Sequence, residues 1–198
     1  MIPGEHNVEN YLAAIAAVQG LVPDDVILHT AETFPGVEHR IELVRTLHGV
    51  RYYNDSIASS PTRVIAGLRA FNQKLILLAG GSNKRVSFAP LAPELLAHVK
   101  TLVLISNPAE KAAAAARGES GYQTSAEQIE AAVRAEPGFA ESGMNILHAE
   151  SMQQAVRLAY EAARPGDIVS LSPACASFDF YPNFEVRGRH YKELVNAL

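Results

Sequence analysis

Four short runs, KLILLAG (74–80), TLVLIS (101–106), NILHA (145–149) and IVSLS (168–172), recur along the chain with longer amphipathic segments between them. No other feature constrains the fold as tightly. The runs are short, and most are apolar at consecutive positions, the pattern of strands buried on both faces. The intervening segments 62–71, 90–98, 108–116, 124–135 and 152–163 carry helical periodicity, and Pro61 suits the first turn of the first of them. Strand–helix alternation predicts a Rossmann-like, doubly wound α/β domain, its mostly parallel sheet covered on both sides. Residues 41–46 and 50–53 are expected to pair as a hairpin through His48-Gly49, and 184–197 to close as a helix.

The opening of the chain follows another pattern. Residues 7–19 place Val8, Leu12, Ile15 and Val18 at helical spacing, with Asn7 as a candidate cap. A second short helix is expected over 24–30, behind Pro23 and two aspartates. The Pro/Gly turn FPGVEH (34–39) then separates this pair from the alternating region. A stretch of 33 residues is too small to be stable alone. The expected division is therefore a helical remnant at 1–33 and a domain at 34–198.

A net charge of −4 gives no electrostatic reason to expect a nucleic-acid partner. No apolar run reaches the roughly 18 residues of a membrane span, and MIPGEHNVEN lacks the layout of a secretory signal. The single cysteine, Cys175, fits a reducing compartment, so a cytoplasmic protein is expected. Cys175 as a nucleophile would need a positioned histidine, and none is evident; a small buried residue is the favoured reading.

In doubly wound sheets ligands collect beyond the carboxyl ends of strands. That rule selects NDSIASS, GGSNK, SNPAE and SPACAS. GGSNK (80–84) admits two readings. Its glycines and Lys84 form an anion cradle, or they are a strand-ending turn with a solvated lysine. It is not a G-x-x-x-x-G-K-[ST] loop, and no G-x-G-x-x-G fingerprint occurs, which disfavours a dinucleotide oxidoreductase. In SPACASFDFYPNF (172–184) the small residues let a ligand approach the backbone, and Ser172 or Ser177 offers a hydroxyl. Phe178, Phe180 and Phe184 are core by default. Asp55 is a ribose or cation contact, or a helix-entry cap. Arg40, beside His39, is a phosphate clamp or an exposed side chain. The remaining histidines show no metal-ligand spacing.

Taken in order, GEHNVENYLAA (4–14), FPGVEHRIE (34–42), YNDSIASSPT (53–62), LAGGSNK (78–84) and LSPACASFDFYPNFEVRG (171–188) resemble the Mur ligase family, in its D-glutamate-adding branch. The stretch 108–144 carries no motif and is expected to be variable. The resemblance implies an ATP- and Mg2+-dependent ligase of three domains. It joins D-glutamate to UDP-N-acetylmuramoyl-L-alanine through an acyl phosphate, in peptidoglycan precursor synthesis. Residues 1–33 then correspond to the end of the central ATPase domain, and the P-loop, metal ligands and UDP-binding domain are expected to be missing. The chain alone is expected to be an inactive monomer with no catalytic residue and no metal ligand of its own. Carried over by motif, Asn7, Asn10, His39, Arg40 and Asp55 serve ATP, while Ser59, Lys84, Ser177, Phe178 and Phe184 serve D-glutamate. Many members read NDSKAT where this chain has NDSIAS, so Ile57 cannot supply the family's lysine charge. The alternative is a free-standing binding module for an acidic amino acid.

Overall fold

A computed structural model describes residues 4–82 and 86–198, apart from the side chains of Glu5 and His6. The order of elements is α1 (Glu5–Val18), α2 (Asp24–Thr33), β1 (Glu42–Leu47), β2 (Val50–Asn54), α3 (Pro61–Leu68), β3 (Leu75–Gly80), α4 (Ala92–His98), β4 (Val99–Ile105), α5 (Pro108–Ala116), α6 (Ser125–Arg134), β5 (Asn145–Ala149), α7 (Met152–Ala162), β6 (Ile168–Leu171) and α8 (Phe184–Asn196). Local chemistry explains many of the boundaries. The side chains of Asn107, Ser151 and Asn183 accept backbone N–H bonds at the starts of α5, α7 and α8. Thr124 and Glu127 close a reciprocal capping box on α6. Asn7, expected as a cap, instead lies within the first turn of α1, which begins after Gly4 with no side-chain cap.

The six strands are ordered β1-β2-β6-β3-β4-β5. β1 and β2 form the expected antiparallel hairpin, and every other neighbouring pair is parallel. His48 (φ 50°) and Gly49 (φ 77°) both take left-handed backbone, as a two-residue hairpin turn with the twist of its strands requires. The strands feed two hydrophobic clusters alternately. Leu75, Leu77 and Ala79 of β3 join one with α3, α4 and α6; Ile76 and Leu78 join the other with α7 and α8. β3 is buried throughout, and each large apolar side chain taken fully out of water contributes about 1.5–3 kcal/mol. This is the doubly wound, mostly parallel architecture expected from the sequence.

No residue of α1 or α2 belongs to either cluster. Val8, Leu12, Leu21 and Leu28 are exposed on this helical pair, Leu21 at 82%. Among the described residues no helix is long and apolar enough to cross a membrane.

Candidate functional site

Because β6 is inserted between β2 and β3, the three loops that leave those strands lie side by side at the carboxyl edge of the sheet. They are 55–60, 172–177 and 81–82, parts of three stretches that the sequence marked. Backbone bonds tie them together. The N–H of Ala174 donates to the Ala58 carbonyl (2.9 Å), and that of Gly80 to Pro173 (2.9 Å). Ser82 and Ala176 exchange both bonds, at 3.0 and 3.1 Å. The Ser172 hydroxyl donates to Asp55 Oδ2 (2.7 Å).

Small residues make this approach possible. A Cβ on Gly80 would lie 2.0 Å from the Ile105 carbonyl oxygen, and one on Gly81 2.3 Å from that of Ala176. Both have φ in the range L side chains avoid (128° and 134°), and Ala174 is left-handed at 61°. The N–H groups of Gly80 and Ser82 donate to the 172–177 loop and are not available to an anion; Lys84, the other part of the anion-cradle reading, lies outside the described residues.

Arg187, on the first turn of α8, completes the arrangement. It is 3% exposed. Its Nε donates to Ser56 Oγ (3.0 Å) and Nη2 to the Ser56 carbonyl (2.9 Å). Nη1 donates to the carbonyls of Cys175 and Ala176, both at 3.1 Å. Burial lowers its pKa to about 10. Sequence reasoning missed this residue by reading the segment for its aromatics; an arginine closely following a run of small residues was the available signal.

Asn7, Asn10 and Arg40 line one groove of about 510 Å3 between α1, α2 and residues 34–40, with Tyr11, Phe34 and several aliphatic side chains. His39 and Asp55 do not join them, a correction to their expected placement. His39 takes left-handed backbone (φ 65°) and turns inward, 3% exposed. Its Nδ1 lies 2.8 Å from the Asn54 amide nitrogen. Its ring meets Phe184 edge to face at 5.9 Å. A Cβ on Gly188 would fall 2.3 Å from Nδ1, so α8 needs glycine at this crossing. Asp55 is 4% exposed. It accepts the Ser172 hydroxyl on Oδ2 and, at 3.3 Å, the Ile41 N–H on Oδ1, so both oxygens are bonded within the domain. Burial pushes its pKa up to about 6, against the lowering effect of those two bonds and of Arg40 and Arg63.

Of the D-glutamate candidates, Ser177 is buried, Ser59 and Phe184 are half-buried, and Phe178 is 73% exposed. The default of core for the aromatics is thus wrong for Phe178 and for Phe180, which is 37% exposed. Ile57 donates its N–H to the His39 carbonyl (3.2 Å), and its own carbonyl accepts from Arg63 Nη1 (3.1 Å). Residues 39–41 therefore link the groove to the sheet edge. Cys175 is buried and its thiol is pushed up to about 12 by desolvation, which leaves it unreactive and structural. Among the described residues Glu38, His39 and Glu42 form the one group of potential metal ligands. Lys192 already bonds both carboxylates, and Asn54 donates to Glu42 and to His39.

The fold is a doubly wound α/β sheet whose loops after β2, β6 and β3 meet at one edge, with a largely apolar groove lined by α1, α2 and residues 34–40. A family model described as the Mur ligase glutamate ligase domain matches residues 39–175, and the chain belongs to that family. It is 49% identical over 198 residues to the UDP-N-acetylmuramoylalanine–D-glutamate ligase of Clostridium beijerinckii, covering 100% of this chain and 40% of the relative. The protein of that name from Acetivibrio thermocellus is also 49% identical, with 39% of it covered. The chain thus spans about 40% of the length of the curated relatives it matches. Among solved structures, a Mycobacterium tuberculosis folylpolyglutamate synthase complexed with ADP aligns at TM-score 0.62 and 15% identity, over 96% of this chain and 41% of that one. A murein peptide ligase from Psychrobacter arcticus aligns at 0.53 and 16%, over 98% and 38%. At such identities these two likenesses show the shared fold.

Proposed function

We propose that this chain is the carboxyl-terminal part of an ATP-dependent, cytoplasmic, monomeric ligase that joins D-glutamate to UDP-N-acetylmuramoyl-L-alanine in peptidoglycan precursor synthesis. The observation that carries the reading is the 49% identity, over the whole chain, to relatives named for that reaction. ATP supplies the phosphoryl group that activates the substrate carboxylate for attack by the D-glutamate amine. The residues described here bind and orient. The groove suits a purine: Asn7 and Asn10 offer amide donors and acceptors, Tyr11 and Phe34 offer ring faces, and Arg40 presents a guanidinium fork to phosphate. At the sheet edge Ser59 and Ser177 carry hydroxyls and Phe178 and Phe184 apolar rings, and Lys84, two positions after Ser82 in the sequence, carries the charge a carboxylate needs. Any pocket here must hold the two carboxylates and leave the amine free, so that binding energy is spent on orientation.

The Glu38, His39 and Glu42 cluster does not suit Mg2+ in this reading, because Lys192 bonds both carboxylates and Asn54 bonds Glu42. Lacking a P-loop in its 198 residues, the chain by itself is expected to bind nucleotide without cleaving it. Asp55, buried and fully engaged, acts in this reading as an anchor for residues 39–41 rather than as a ribose contact. A free-standing amino-acid binder accounts for the sheet edge but gives no role to Asn7, Asn10 and Arg40 around a common groove.

A chimera tests the proposal. This chain replaces the matching portion of the Clostridium beijerinckii relative, and phosphate release is followed with ATP and UDP-N-acetylmuramoyl-L-alanine. Release that depends on D-glutamate and not on L-glutamate is expected. A folded chimera that is silent, or indifferent to the enantiomer, would overturn it.

A further inference from the structure

We propose that Arg187 is the positioning residue that sets the shape of the amino-acid pocket, by holding the loops after β2 and β6 in one fixed arrangement. The inference rests on the proposed D-glutamate site for its ligand, but on the geometry of the loops for its substance.

The choice of side chain is the first argument. Arg187 is a buried cation whose hydrogen-bond acceptors are one hydroxyl and three backbone carbonyls, with no carboxylate among them. Burying a charge without a hydrogen-bonded counter-ion is costly, and a neutral side chain would avoid that cost in a merely structural position. Arginine alone offers five donors in a rigid plane, and four acceptors from two separate loops converge on that plane here. The second argument is reach. Ala176, held by Nη1, is the residue that exchanges both backbone bonds with Ser82, so the loop after β3 is fixed at one remove. Ser177 follows directly, and Lys84 lies two residues beyond Ser82. Ser56, held at both its hydroxyl and its carbonyl, is three residues before Ser59. Gly81 clears the space for this loop, since a Cβ there would sit 2.3 Å from the Ala176 carbonyl oxygen that Nη1 holds. Ser56 Oγ in turn donates to the Phe184 carbonyl (2.8 Å), which brings the first residue of α8 into the same network. Ser59, Ser177 and Phe178 thus lie within three positions of Ser56 or Ala176, which Arg187 holds directly, and Phe184 is tied to the same network through Ser56 Oγ.

The test uses the chain itself, with D-glutamate and ADP as probes, in wild type, Arg187→Lys and Arg187→Met. Loss of hydrogen bonds to a charged group predicts D-glutamate binding weakened by about tenfold or more in Arg187→Met, with Arg187→Lys between it and wild type. ADP binding in the groove, which Arg187 does not line, is expected to be unchanged. Amide hydrogen exchange supplies a readout independent of any ligand. In Arg187→Lys, which keeps the charge but not the planar fork, the N–H groups of Ala174, Ala176 and Ser82 are expected to lose protection together, while those of Leu77 and Leu102 in the sheet keep theirs. Wild-type D-glutamate affinity in Arg187→Met would overturn the proposal. So would equal loss of D-glutamate and ADP binding with loss of protection throughout the sheet, the signature of general destabilisation. If Arg187→Met does not fold, Arg187→Lys decides through the exchange pattern. A wild-type chain that binds no D-glutamate would refute the ligand reading, and the exchange pattern would still decide the role of Arg187.

Discussion

Asp55 makes the stability of this chain depend on pH in a direction opposite to that of an ordinary paired carboxylate. Burial dominates its environment and raises its pKa from 3.8 to about 6, although Ser172 and Ile41 donate to it and Arg40 and Arg63 attract its charge. The folded chain therefore holds this proton more tightly than the unfolded chain does. The resulting stabilisation is fully present below pH 3.8 and is lost as pH rises through about 6. At roughly 1.4 kcal/mol per pH decade the gap corresponds to about 3 kcal/mol, of which about 2 kcal/mol falls between pH 4 and 7. That is a large share of the roughly 5–15 kcal/mol by which domains are stable. Asp55→Asn isolates the effect. The amide keeps an acceptor for the Ile41 N–H and offers a donor to Ser172, but it does not titrate. Asp179, also pushed up to about 6, chiefly by burial, remains in both proteins and cancels in the comparison. Urea unfolding at a series of pH values should show Asp55→Asn gaining on the wild type by about 2 kcal/mol from pH 4 to 7. A flat difference, or one that falls with pH, would refute the burial argument.

Other consequences can be measured on the same chain. Gly188→Ala places a Cβ 2.3 Å from His39 Nδ1 and 3.1 Å from Asn54 Nδ2; a loss of about 1–3 kcal/mol in urea unfolding is expected, and an unchanged midpoint would show that α8 moves freely. Cys175, with its thiol at about 12, should resist a maleimide at pH 8 in the folded chain and react once urea is added. Fast labelling of the folded chain would contradict the buried placement. Arg40→Ala should weaken ADP binding and leave adenosine binding untouched, because only the phosphates need the guanidinium. Equal losses by calorimetry would move Arg40 from a phosphate contact to a structural part of the groove.

Most elements were legible because each carried its own local signal. Apolar runs such as LILLAG identify buried strands regardless of context, and Asn107, Thr124, Ser151 and Asn183 mark helix starts through their own side chains. Strand order was not legible. The place of β6 between β2 and β3 is decided by long-range pairing, to which no local segment bears witness. The site was legible as a set of loops but not as chemistry. Gly80 and Gly81 announce close approach, yet sequence cannot say that the approaching groups are the backbone of Ile105 and of Ala176 rather than an anion. His39 and Ile41 take left-handed backbone, with φ of 65° and 45°, a tertiary choice made against local preference that no local segment announces. Arg187 was invisible for a similar reason: its four acceptors come from segments 11 to 131 residues away.

The central claim is that the stapled loops at the carboxyl edge receive D-glutamate while the groove beside Asn7, Asn10 and Arg40 receives the nucleotide. Backbone amide NMR of the isotope-labelled chain tests both halves in one titration series. D-glutamate is predicted to shift the amides of Ser56, Ser59, Ser82, Ser177 and Phe178, with L-glutamate much weaker, and ADP to shift those of Asn7, Asn10, Tyr11 and Arg40. Identical responses to the two enantiomers, or D-glutamate shifts confined to residues away from the three loops, would contradict the account.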